Sequence, residues 1–307
     1  MSNKIKCQGV IVPMVTPFTP EGHIDTEAVR RIVDHLIDGG VDGIFILGTT
    51  GEAASISLAE KTKLVESTVA YTKNRTIVYV GISSNCVEES ITMGNCYEGL
   101  GADILVAHSP YYYFLNEDEI FRYFTTLADS IAGPLMIYNI PQTTGISISI
   151  DVAEKLSHHE RIVGLKDSEN TPGRLTEAIE RFSGRSDFSY VVGCAALSAR
   201  ALELGAPGIV PSAGNLEPQL YKRLYNHARK GNMAAANEFQ GKTNLVSSLY
   251  QKNRSLGQSL AALKAAMHIL GFCEPTVLRP LETLQQEDID QIQKQMTNLH
   301  FLSYFNE

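Results

Sequence analysis

The chain has 307 residues, 44% of them hydrophobic and 20% charged, with a formal net charge of -8 and an isoelectric point near 5.5. An acidic chain without a Lys/Arg run offers no electrostatic footprint for nucleic acid or an anionic membrane, so a small soluble ligand is the expected partner. The five cysteines, Cys7, Cys86, Cys96, Cys194 and Cys273, are scattered and never spaced as Cys-x-x-Cys. That pattern supports neither a disulfide framework nor a zinc site and points to a reducing compartment. The first residues, MSNKIKCQG, lack the apolar run and small-residue cleavage site of a secretory signal, and no stretch of about 18 uninterrupted apolar residues occurs. A cytoplasmic location is the expectation.

In chain order, apolar runs of strand length recur at 10–18, 43–49, 76–83, 102–109, 134–141, 161–168, 189–194 and 208–214. They are continuous rather than alternating, as strands covered on both faces should be, which favours a parallel sheet. Segments of helical period lie between them, such as 26–40, 57–73 and 116–131, with Thr26, Ser57 and Asn116 as candidate caps. Glycines close three of the helical segments, at Gly39-Gly40, Gly99 with Gly101, and Gly205. Eight strand–helix units in about 230 residues match a (β/α)8 TIM barrel. From about Gly231 the strand signal vanishes, so the expected division is a catalytic barrel over 1–230 and a helical C-terminal extension over 231–307.

One stretch, IVGLKDS at 162–168, places Lys166 where a buried strand should end. In such barrels chemistry sits at the C-terminal strand ends. Strict alternation puts Gly164, Lys166 and Ser168 on the inner face and Val163, Leu165 and Asp167 on the outer one. A lysine held there loses hydration, its pKa falls, and the neutral amine can attack a ketone to form a Schiff base. The bland reading is that Lys166 pairs with a carboxylate inside the barrel.

Other strand ends add to the pattern. Gly48-Thr49-Thr50-Gly51-Glu52 leaves backbone N–H groups and two hydroxyls free to cradle a carboxylate. Tyr138, in Tyr138-Asn139-Ile140-Pro141, could relay a proton, or be a core tyrosine bonded to backbone. Ser109-Pro110-Tyr111-Tyr112-Tyr113 carries more aromatic surface than a solvated turn needs, to line a pocket or to dock against another subunit. A metal-dependent alternative would use His108, Glu52 and Asp167 as ligands.

Taken together, Gly48-Thr49-Thr50-Gly51-Glu52, Pro110-Tyr111-Tyr112, Tyr138-Asn139-Ile140-Pro141 and Gly164-Leu165-Lys166-Asp167 resemble the dihydrodipicolinate synthase and N-acetylneuraminate lyase family. The resemblance spans nearly the whole chain. It implies a (β/α)8 barrel, a homotetramer as the usual assembly, and a lysine that forms a Schiff base with pyruvate or a 2-oxo acid, with no metal or other cofactor. Position by position it implies that Lys166 is the Schiff-base lysine and Tyr138 the proton-transfer residue, with Thr49 linking Tyr138 to Tyr112. Tyr112 would come from a neighbouring subunit. Gly48, Thr50, Thr143, Gly193, Val210 and Ser212 are expected to bind substrate.

Two departures bear on the substrate. Synthases that use aspartate semialdehyde resemble one another in an arginine two positions past the proline, where this chain has Thr143; Gln142 or Arg174 would have to compensate. Sialic acid lyases carry an acidic pair where this chain has Gly193-Cys194-Ala195-Ala196. What remains resembles aldolases that cleave a 2-oxo-4-hydroxy acid, such as 2-keto-3-deoxygluconate or 4-hydroxy-2-oxoglutarate, to pyruvate and an aldehyde. Dihydrodipicolinate synthase is the alternative expectation, and N-acetylneuraminate lyase a further one.

Overall fold

The structure is a computed structural model that describes residues 6–298. Residues 1–5 and 299–307, the outer ends of both segments expected from the sequence, lie outside the described residues. The elements run β1 (Gly9–Pro13), α1 (Thr26–Asp38), β2 (Gly43–Ile46), α2 (Leu58–Thr72), β3 (Ile77–Gly81), α3 (Val87–Gly99), β4 (Ile104–His108) and α4 (Glu117–Ser130). They continue with β5 (Leu135–Asn139), α5 (Pro141–Thr144), α6 (Ile150–Ser157), β6 (Ile162–Asp167), α7 (Arg174–Phe182), β7 (Ser189–Val192), α8 (Ser198–Leu204), β8 (Gly208–Ile209) and α9 (Pro218–Arg229). Three helices follow, α10 (Met233–Gln251), α11 (Leu256–Ile269) and α12 (Gln286–Asn298).

The eight strands are parallel and close into a barrel, with β8 pairing back to β1. Outward residues such as Val10, Ile44, Leu105, Ile137 and Leu165 join the layer under the helices, whereas Ile11, Phe45, Tyr79, Val106, Met136 and Val210 fill the interior. Both faces are therefore apolar, which is why the strands read as continuous runs.

Strand β6 departs from the strict alternation expected for it. Leu135 pairs with Ile162 but Met136 pairs with Gly164, a register shift that leaves Val163 as an extra residue. Val163 accordingly packs inside the barrel rather than outside. Gly164 is required next to it, because an added Cβ would lie 2.6 Å from the Ser189 carbonyl oxygen. Past the irregularity alternation resumes, and Lys166 pairs with Tyr138 facing inward as expected. Strand β8 is shorter than the expected 208–214, since Pro211 precedes a 3-10 turn at Ser212–Asn215.

The helix starts follow local chemistry. Ser57 and Asn116 cap α2 and α4, Asn116 in a reciprocal box with Glu119. For α1 the cap is Asp25, not Thr26: the Asp25 Oδ1 accepts from the Ala28 N–H at 3.0 Å, and Thr26 is the first helical residue. The left-handed turns back to the sheet fall at Gly40, Gly101 and Gly205; Gly99 itself is helical.

On the outer side of β6, Asp167 sits in a closed network. Arg174 Nε donates to its Oδ2 at 2.7 Å, Tyr190 OH donates to the same oxygen at 3.1 Å, and Asn139 Nδ2 donates to Oδ1 at 2.9 Å. Arg174 also donates to the Ile148 carbonyl at 2.8 Å. Arg174→Met would strand a buried carboxylate and should lower stability by about 3–5 kcal/mol in urea denaturation; a loss below about 1 kcal/mol would show that Asp167 rehydrates.

Candidate active site

A cavity of about 1090 Å³ opens at the C-terminal ends of the strands. Gly48 and Thr49 after β2, Gly81 and Ser83 at β3, His108 of β4, and Tyr138 and Thr143 at β5 are among its walls. Lys166 is not itself among the wall residues: it is buried, only 4% exposed, behind two of them, with Nζ 3.8 Å from the centroid of the Tyr138 ring and 4.7 Å from that of Phe45. No ion pair reaches this amine among the described residues, so the carboxylate-paired reading falls. The nearest acidic neighbour in sequence, Asp167, points out of the barrel and is held by Arg174. Burial lowers the lysine pKa, and the adjacent Tyr138 hydroxyl opposes that only in part. The surroundings of this amine thus disfavour its charged form.

The turn after β2 is shaped by two left-handed residues that are not glycine, Leu47 at φ 56 and Glu52 at φ 57. The backbone of Leu47 comes so close to β3 that a Cβ on Gly81 would lie 2.0 Å from its carbonyl oxygen. Within the turn, the Gly48 and Thr49 carbonyls accept bonds from Gly51 and Glu52. The N–H groups and hydroxyls of Thr49 and Thr50 have no partner among the described residues, and of the two only Thr49 lines the cavity. Glu52 anchors the turn through an ion pair with the buried Lys264 of α11, and its second oxygen accepts from the Leu278 N–H at 3.0 Å. Lys264 Nζ also donates to the Thr16 carbonyl at 2.5 Å.

The remaining expected residues are placed unevenly. Val210 belongs to the interior packing group, below the cavity. At Gly193 an added Cβ would stand 2.1 Å from Ser168 Oγ, so its role is close strand approach. Ser212 Oγ is 2.7 Å from Tyr250 OH of α10. Thr50, Gly193, Val210 and Ser212 are not among the residues that form the cavity wall. Tyr112 is 75% exposed, beside Tyr113 and Phe114, and does not reach its own chain's cavity.

Arg174 cannot compensate for Thr143, because it is spent on Asp167 and lies outside the barrel. Gln142 directs its Nε2 at the Ser168 carbonyl, at 3.4 Å. Glu52 and Asp167 are committed to Lys264 and Arg174, and no group of three potential metal-ligating side chains assembles among the described residues. No helix there is long and apolar enough to cross a membrane.

Residues that sequence reasoning missed include Phe45, which flanks Lys166, and the loop after β3, where Ser84 and Asn85 line the cavity. Asn85 Oδ1 accepts from the N–H groups of Tyr111 and Tyr112 at 2.9 and 3.2 Å, fixing the aromatic loop. The polar run SSN directly after a buried strand was the available signal.

The model of the Dihydrodipicolinate synthetase family matches residues 6–299. The chain belongs to this family. Its relatives include the 4-hydroxy-tetrahydrodipicolinate synthase of Neisseria meningitidis, 32% identical over 279 residues, which are 91% of this chain and 94% of that one. Among solved structures, dihydrodipicolinate synthase from Bacteroides thetaiotaomicron superposes with a TM-score of 0.90 at 31% identity, covering 95% of this chain and 98% of that one. YagE of E. coli K12, solved in complex with pyruvate, also gives 0.90 at 27% identity, covering 96% and 99%. As a member of the dihydrodipicolinate synthetase family the chain is an enzyme, a lyase of the pyruvate-dependent class I aldolase type.

The buried amine makes a stability prediction whose sign is fixed. A lysine pKa lowered from 10.5 in the folded state means that the unfolded chain binds more protons below that value, so its contribution to stability rises with pH up to about 10.5. Lys166→Met should therefore be more stable than the parent at pH 7, by at least about 1 kcal/mol, with the gain shrinking as pH approaches 10. Equal thermal midpoints across that range would mean that the amine is hydrated.

Proposed function

We propose that this member of the family forms a Schiff base between Lys166 and a 2-oxo-4-hydroxy acid, such as 2-keto-3-deoxygluconate or 4-hydroxy-2-oxoglutarate, and cleaves it reversibly to pyruvate and an aldehyde. The observation that carries the reading is an amine buried without a carboxylate against the tyrosine of the neighbouring strand. The uncharged Lys166 adds to the C2 ketone, and Tyr138 gives its proton to the departing C2 hydroxyl, so that water departs and leaves an iminium beside a phenolate. Tyr138 takes the proton of the C4 hydroxyl; the C3–C4 bond breaks, the aldehyde carbonyl forms at C4, and the electron pair passes into the iminium as an enamine. Protonation at C3 and hydrolysis then free pyruvate and the lysine. Thr49 and Thr50 hold the substrate carboxylate through hydroxyl and backbone N–H groups. No metal or other cofactor takes part in these steps.

Similarity favours a second reading, condensation of pyruvate with aspartate semialdehyde, because the named relatives are synthases. Both readings share the imine and part at the second substrate. Against the synthase stands Thr143, which lines the cavity without offering a cation, while Arg174 lies elsewhere. A third, N-acetylneuraminate cleavage, lacks the acidic pair at Ala195 and Ala196. We further place a second copy of the chain over the exposed aromatic loop, in a homotetramer in which Tyr112 enters the neighbouring cavity and completes a hydroxyl chain through Thr49 to Tyr138.

Borohydride reduction in the presence of pyruvate should fix an adduct on Lys166, read by mass spectrometry of peptides; unmodified protein or a modified residue elsewhere would falsify the imine. Turnover of the two 2-oxo-4-hydroxy acids, compared with condensation on aspartate semialdehyde, separates the readings. If the aldolase reading is right, Thr143→Arg should raise condensation by about tenfold or more, the worth of one charge-assisted pair. Efficient condensation by the unaltered enzyme would establish the synthase instead.

A further inference from the structure

The hydrogen-bond ladder places three inward side chains at one level of the barrel: His108 of β4 pairs with Tyr138 of β5, which pairs with Lys166 of β6. Each strand step is about 4.8 Å, so the imidazole stands two steps from the amine, on the far side of the phenol. Its ring centroid is 6.4 Å from that of Tyr138 and 6.2 Å from that of Tyr111, and it lines the cavity. A chain of carbons attached to Lys166 at C2 and laid past Tyr138 would, at about 1.5 Å per bond, approach this ring.

The imidazole is oriented for one task. Nδ1 lies 2.8 Å from the Ser109 carbonyl oxygen, a contact that is favourable only when Nδ1 carries the proton. Nε2 has no hydrogen-bond partner among the described residues. Burial lowers the pKa of the ring against the opposing bond to the Ser109 carbonyl, so the neutral form with a lone pair on Nε2 prevails. The same cavity wall carries the uncharged donors and acceptors Ser83, Ser84, Asn85 and Thr143, and Ser83 Oγ accepts from the His108 N–H at 2.9 Å. Lys61 also lines the cavity, together with two carboxylates, Glu88 and Glu89, of which Glu89 acts on its charge. Such a wall suits hydroxyl groups and does not suit a second carboxylate.

We propose that His108 determines specificity: its Nε2 accepts a hydrogen bond from a hydroxyl on the aldehyde-derived half of the substrate, so that half is a neutral hydroxyaldehyde. This deepens the aldolase reading and rests on it.

The test measures aldol addition of pyruvate to three acceptors, glyceraldehyde, propanal and glyoxylate, with the parent enzyme, His108→Leu and His108→Gln. The parent should prefer glyceraldehyde to both others. In His108→Leu the ratio of kcat/KM for glyceraldehyde over propanal should fall at least about tenfold, the effect of one missing partner in a site built for a hydroxyl. His108→Gln, whose amide oxygen can accept from a similar position, should keep most of the preference. An equal loss on glyceraldehyde and propanal would overturn the proposal by making His108 part of the common chemistry, as would a parent preference for glyoxylate or propanal. Borohydride trapping with pyruvate alone, run on the same three proteins, separates the two claims: absence of the adduct in the parent is a failure of the imine reading, not of His108. Circular dichroism with a thermal melt identifies a variant that fails to fold, in which case His108→Gln alone decides through its acceptor ratios.

Discussion

The catalytic possibilities of this barrel depend on keeping one amine away from any carboxylate. Lys166 and Asp167 are adjacent in sequence, and in a flexible peptide they would attract each other. The pleat of β6 sends them to opposite faces, and the outer carboxylate is then saturated by Arg174, Tyr190 and Asn139. Across the strand the field of Asp167 is largely offset by the guanidinium beside it, which leaves desolvation as the leading influence on Lys166. The arrangement tolerates a buried charge pair on one face of the strand so that the other face holds a base without a counter-ion.

The second constraint is the shape of the turn that follows β2. Left-handed Leu47 and Glu52 are unfavourable for residues with a side chain, so surrounding contacts must hold them. One such contact comes from 212 residues away: the ammonium of Lys264 satisfies Glu52 and the Thr16 carbonyl at once, while lying over the Phe18 ring at 4.3 Å. The other is steric, the open space at Gly81 into which the Leu47 carbonyl fits. The helices after the barrel are thus part of the frame that holds the turn carrying Thr49 and Thr50, and Tyr250 of α10 braces the turn after β8 in the same way.

How far the sequence could be read follows from the range of the interactions involved. The eight strands were legible because both faces of each strand are apolar, and the end of β6 because a lysine interrupts such a run. Val163 was misplaced because a bulge arises from the pairing of β5 with β6, which no local period records. Asp25 displaced Thr26 as a cap by a choice between two good capping residues one position apart. Phe45 and the Lys264–Glu52 pair were invisible for a stronger reason: their meaning lies in which strand or helix stands next to which. His108 drew notice only as a metal ligand, because the register that brings it level with Tyr138 and Lys166 is a property of the closed barrel.

Volume does little to select the substrate here. A cavity of about 1090 Å³ far exceeds the needs of pyruvate and admits many partners at its outer end. Discrimination must therefore come from unpaired polar groups in the wall, since a buried acceptor left without a donor disfavours the wrong ligand more than an extra methylene can. At Thr143 the wall offers no cation, and at His108 it offers a lone pair fixed by the Ser109 carbonyl. On the proposed reading the base of the barrel would fix the 2-oxo end, and the wall between β3 and β5 would decide what the rest of the molecule has to be.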